Sequence, residues 1–119
     1  MMNRTNLGRY GERLAEEYLQ QQGYQIIARN FRLGRHGEID LVALDGETLV
    51  FVEVKIRRTP KFGSPEDAVT HAKRYQLRRI AEGFLHCTMV EATAYRFDVI
   101  AIELHGAAPS IRHWKNAFW

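Results

Sequence analysis

Among 119 residues there is one cysteine, there are three prolines, and no apolar run approaches the length of a membrane span. A lone Cys87 excludes an intrachain disulfide and fits a reducing compartment, so a cytoplasmic location and no membrane partner are expected. Met1 to Leu7 carries no apolar segment of the signal-peptide kind. Its five histidines show no zinc-ligand spacing, and no glycine-rich loop leads into a helix in the nucleotide-binding pattern, which argues against an ATP-driven role. His86 sits next to Cys87, but neighbouring helical positions point apart, so a Cys/His nucleophile pair is disfavoured. Internal repeats and low-complexity stretches are absent too.

What is present is an ordinary globular balance, 45% hydrophobic and 26% charged, which argues against disorder. The length suits one domain over residues 1–119, with a core at about 8–104 and an aromatic tail at 105–119. The net charge is +3 and the isoelectric point about 9.2. That balance suits a polyanionic partner and a merely solvated surface equally well.

Gly8 to Gln22 reads as a helix, its apolar residues recurring at helical spacing until Gly23 ends it. Tyr24 to Arg29 reads as a short strand and Arg32 to Gly37 as a basic loop. A hairpin follows: Ile39, Leu41 and Ala43 alternate with Glu38, Asp40 and Val42, and Val50, Val52, Val54 and Ile56 with Phe51, Glu53 and Lys55. Asp45-Gly46 is the turn signal between them. Ser64-Pro65-Glu66-Asp67 has the form of a helix start, predicting a helix to about Leu85. Tyr95 to Leu104 reads as a last strand. The order is α-β-β-β-α-β.

Ionised groups are rarely set among Ile, Leu and Val without compensation, yet Asp40 and Glu53-Val54-Lys55 are. With Asp45-Gly46-Glu47-Thr48 as the loop, Asp40 falls opposite Glu53. With Asp45-Gly46 alone as the turn, Glu38 faces Glu53 and Asp40 lies one diagonal step away. In both registers the acids share a face with Lys55. Two carboxylates about 4 Å apart repel by roughly 4 kcal/mol at an effective dielectric near 20, so the pair is disfavoured unless a cation bridges it. Mg²⁺ suits such ligands, leaving Lys55 to hold the attacking water or to stabilise charge on a phosphate. The alternative is that Lys55 simply neutralises an exposed acidic pair.

Asp40 followed by Glu53-Val54-Lys55 on the returning strand resembles the PD-(D/E)xK nuclease signature, with Ile39 in place of the proline. Across about Gly8 to Leu104 the chain resembles more closely the YraN-like family of uncharacterised bacterial proteins, itself similar to archaeal Holliday-junction resolvases. Gly11-Glu12, Gly23-Tyr24, Ala28-Arg29-Asn30-Phe31-Arg32, Gly37-Glu38-Ile39-Asp40-Leu41, Val50 to Lys55, Lys73 and Arg96-Phe97-Asp98-Val99 carry the likeness. It implies a restriction-endonuclease-like α/β fold with a central mixed sheet flanked by helices. It also implies a Mg²⁺- or Mn²⁺-dependent endonuclease acting on DNA, branched DNA included. Asp40 and Glu53 would be metal ligands, Lys55 the catalytic lysine, and Glu12 a further acid completing the site. Taken alone, Glu12 suits an acid near the positive end of a helix dipole better than a site residue, and Glu38 is an outer or alternative ligand depending on register. Action on two strands would call for a homodimer. The alternative of a different class is a non-catalytic nucleic-acid-binding protein that keeps the nuclease fold.

Basic residues cluster around the acidic hairpin. Arg29, Arg32 and Arg35 precede it and Arg57, Arg58 and Lys61 follow it, places from which phosphates would be gripped on both sides of a scissile bond. Lys73 joins them by the resemblance, whereas Arg74, Arg78 and Arg79 suit a solvated helix face. Trp114, Phe118 and Trp119 suit docking of the tail on its own domain better than base stacking.

Overall fold

The computed structural model describes residues 3–58 and 69–118. Seven elements follow in order: α1 (Arg4–Gln21), β1 (Gln25–Arg32), β2 (Glu38–Asp45), β3 (Thr48–Arg57), α2 (His71–Cys87), β4 (Ala94–Glu103) and β5 (Ser110–Phe118). The strands form one mixed sheet in the order β1-β2-β3-β4-β5, antiparallel throughout except for the parallel pair β3–β4. Helix α2 lies in the crossover between those two strands, as parallel neighbours require. A helix on each face completes the α/β layering expected from the sequence.

Several boundaries move for local reasons. Helix α1 begins a turn before Gly8 because the Asn3 side chain accepts the N–H of Asn6 at 2.8 Å, an N-cap. It ends as expected at Gly23, whose φ of +91° an L side chain would resist. Strand β1 runs on to Arg32, shortening the basic loop. The helix start expected at Ser64–Asp67 lies outside the described residues, as does Lys61. Thr70 is extended, and its hydroxyl accepts the Lys73 N–H to cap α2 there, so no helix runs continuously from Ser64 to Leu85. The tail forms β5 on β4, with Phe118 stacked on Phe97 at 4.9 Å.

Two hydrophobic cores result. Ala15 and Leu19 of α1 pack on Val50, Val52, Ile100 and Ile102, while Leu77, Ile80 and Phe84 of α2 pack on Leu49, Phe51, Phe97 and Val99. Strand β3 thus alternates strictly, which places Glu53 and Lys55 on the α2 face with Phe51. Strand β2 does not. Leu41 and Ala43 belong to the α1 core, but Ile39 joins Val42 in the α2 core, so the alternation expected for Ile39, Leu41 and Ala43 breaks between Ile39 and Leu41. Its neighbour β1 breaks in step: Arg29 reaches Glu16 of α1, whereas Phe31, two residues on, packs against Phe84 of α2. The break falls at Asn30, which has φ +50°, and at Asp40 beside it.

Candidate functional site

The hairpin closes with Asp45 paired to Thr48 and Leu41 to Val52, the first of the two registers, which sets Asp40 opposite Glu53. Backbone pairing stops at Leu41, and the Asp40 carboxylate takes the next N–H itself, that of Val54, at 2.8 Å. Both acids are 8% exposed. Burial pushes the Asp40 carboxyl up to about 9, helped by a hydrogen bond with Glu53 and by the charges of Glu53 and Glu12, against the opposing pull of the Val54 N–H. The Asp40 carboxyl therefore favours its protonated form, which relieves the repulsion expected from the sequence.

Glu12 arrives from α1. Gly11 makes this possible, because a Cβ there would stand 2.9 Å from Cβ of Ile56 on β3. Only glycine lets the helix lie that close to the strand. Carboxylate oxygens of Glu12, Glu38 and Asp40 then lie within 4.8 Å of one another. Asn30 Nδ2 donates to Glu12 Oε1 at 2.9 Å and to Glu38 Oε1 at 3.0 Å, and Arg32 pairs with Glu38 Oε2 at 2.9 Å. Gly37, at φ +109°, turns the chain into β2 against Gln76, whose amide bonds the His36 carbonyl.

The second side of the site is α2. Lys73 Nζ stands 3.7 Å from Glu53 Oε2, an oxygen that is buried and accepts no hydrogen bond among the described residues. Lys55 is half-buried, two residues on from Glu53, and has no ion pair among the described residues. Among the described residues the cation nearest Glu53 is thus Lys73, from another element. All four acids offer oxygen, a ligand set suited to Mg²⁺ or Mn²⁺ and poorly suited to softer metals. Asp40 lies where the two strands exchange faces, so Glu12 approaches it from the α1 side and Glu53 from the α2 side.

The basic residues separate into two kinds. Arg29 is held by Glu16 through two bonds of 2.6 and 2.7 Å, and Arg32 by Glu38. Arg35, Arg57 and Arg58 are exposed. Glu12 stands between two open pockets of about 540 and 380 Å³, and Arg9 lines both. Sequence reasoning missed Arg9 and Asn30; Arg9 sits one helical turn before Glu12, a spacing that would have found it.

Away from the site, Asp98 is fully buried among Arg96 (2.9 Å), His113 (2.6 Å) and the Asn116 N–H (2.9 Å). Burial raises its carboxyl, but these donors outweigh that and hold it below the usual carboxylate range. His113 Nδ1 lies 3.1 Å from the Tyr18 hydroxyl, tying β5 to α1.

A model of the uncharacterised protein family UPF0102 matches residues 11–102, from the glycine beside Glu12 to the end of β4. Relatives described as UPF0102 proteins include one from Chlorobium chlorochromatii, 51% identical over 95% of this chain and 91% of its own. Another from Caldicellulosiruptor saccharolyticus is 44% identical over 98% of this chain and its own full length. A third, from Geobacter metallireducens, is 45% identical over 98% of this chain and 95% of its own.

Proposed function

The chain belongs to the uncharacterised protein family UPF0102, and on that footing we propose that it is a metal-dependent, resolvase-like DNA endonuclease acting in the cytoplasm. One observation carries this: three acids converge within 4.8 Å, and a fourth, Glu53, buries an oxygen that accepts no hydrogen bond among the described residues. Four carboxyl groups at the edge of a core are costly, whether ionised and short of hydration or, like Asp40, held protonated. A divalent cation reverses the balance.

Glu12, Glu38 and Asp40 would hold Mg²⁺ or Mn²⁺ once the Asp40 carboxyl gives up its proton, with Glu53 contributing from across the hairpin. Bound there, the cation would polarise a phosphoryl oxygen and make water a better nucleophile. Lys55, which holds no ion pair among the described residues, would serve the charge that develops on the phosphate. Lys73 holds Glu53 from the far side. Arg9, Arg35, Arg57 and Arg58 would take flanking phosphates, and Arg29 and Arg32 would exchange Glu16 and Glu38 for phosphates. Resolution of a branched substrate would bring two copies of the chain together.

The test is to incubate pure protein with linear, single-stranded and four-way-branched DNA under Mg²⁺, Mn²⁺ or EDTA. Metal-dependent cleavage is expected, lost in Asp40→Ala and Lys55→Ala with binding largely kept. Binding of DNA without cleavage under either metal would instead make the chain a non-catalytic nucleic-acid-binding protein.

A further inference from the structure

Asn30 combines two features that rarely coincide. Its backbone is left-handed, a conformation costing a residue with a Cβ about 1–2 kcal/mol, least for Asn and Asp. Its amide donates to two carboxylates from different elements, Glu12 on α1 and Glu38 on β2. A glycine would satisfy the backbone at lower cost, so backbone geometry alone does not account for asparagine here.

We infer that Asn30 is the positioning residue of the acidic site, exchanging the faces of β1 and β2 at Asp40 and fixing the mutual placement of Glu12 and Glu38. The inference rests on the proposed cation site and adds to it the group that preorganises two of its ligands. The backbone supplies the first half. Without the left-handed turn, strict alternation would keep Phe31 on the face of Arg29 and Ile39 on the face of Leu41, leaving Asp40 on the α2 face, away from Glu12. The amide supplies the second half. Its two N–H groups are both used, one on each acid, so a single planar group sets the angle between two side chains that would otherwise repel. Glu38 spends its other oxygen on Arg32, while Glu12 has no second hydrogen bond among the described residues and keeps an oxygen for a ligand.

Three substitutions separate the halves. Asn30→Gly keeps the backbone and removes the amide, Asn30→Ala removes both, and Asn30→Asp keeps the shape and replaces two donors with an acid. Mn²⁺ binding to the full chain, by calorimetry, is expected to weaken about tenfold in Asn30→Gly with the circular dichroism spectrum unchanged, and further in Asn30→Ala. Unfolding of metal-free protein in urea gives a second readout, a cycle of Asn30→Gly with Glu38→Gln. The two changes should be non-additive, because removing the charge on Glu38 removes most of what the amide opposes. Wild-type Mn²⁺ affinity in Asn30→Gly, or an additive cycle, overturns the inference. Wild-type protein that binds no Mn²⁺ overturns the cation site itself, and the metal-free cycle then decides alone whether Asn30 positions these acids.

Discussion

The Asp40 carboxyl faces Glu53 across the β2–β3 hairpin, and its burial favours the protonated form. A carboxyl raised in the folded state favours folding in its protonated form. Its contribution is complete below the ordinary carboxylate range near 4 and is lost as pH rises toward about 9. A cation that replaces the proton should therefore stabilise most at high pH. We expect the Mg²⁺-induced rise in Tm to be larger near pH 8.5 than near pH 6, and Asp40→Asn to abolish the difference. Thermal melts with Mg²⁺ and with EDTA measure it; a pH-independent rise would show that the cation does not compete for this proton.

Asp98 has the opposite sign. Its carboxyl is held low, so its stabilisation is present above the unfolded value and lost as pH falls through the folded one. Asp98→Ala would remove the buried acceptor that Arg96, His113 and the Asn116 N–H share, and is expected to cost about 3–5 kcal/mol in urea unfolding. A loss under about 1 kcal/mol would mean that Arg96 and His113 find other partners.

Lys55 and Lys73 should be separable. Lys55→Ala is expected to change stability by no more than about 0.5 kcal/mol, since the ammonium holds no ion pair among the described residues, while removing cleavage. Lys73→Ala should reduce cleavage partially and cost about 0–1 kcal/mol, because its side chain is 37% exposed. Equal kinetic losses in the two variants would contradict this division of roles.

Gly11 offers a steric test. Gly11→Val forces α1 off Ile56, with an expected overpacking cost of about 1–3 kcal/mol and a loss of Mn²⁺ affinity as Glu12 withdraws. Ile56→Ala removes two of the three crowding atoms and should restore part of both. Calorimetry and urea unfolding on the single and double variants check it; affinity unaffected by Gly11→Val would separate Glu12 from the cation.

Much of this arrangement was legible in the chain because it rests on local periodicity. The turn and the alternation of Val50, Val52 and Val54 narrow the hairpin to two registers, of which the structure takes the one that sets Asp40 opposite Glu53. The arrival of Glu12 followed from the family resemblance rather than from helix periodicity. What stayed hidden depends on single residues that break a period. Asn30 shifts two strands out of phase by adopting a left-handed φ, and although asparagine is the residue of Ala-Arg-Asn-Phe-Arg that tolerates it best, the strand pattern around it calls for no such turn. Strand β5 was masked in the same way. Its ladder is irregular between Phe97 and Val99, and Asn116, at φ +53°, interrupts the pattern from Ser110 to Phe118. The partnership of Asp98 with His113 spans fifteen positions and two strands, beyond any spacing rule.

The crossing of β1 and β2 from one core to the other also has a mechanical side. A site built on one face of a sheet can survive the melting of the opposite layer. Here the acids straddle the sheet, with Glu12 borne by one helix and the Lys73–Glu53 pair closed by the other. Loosening either layer takes the constellation apart, so its integrity reports on both cores at once.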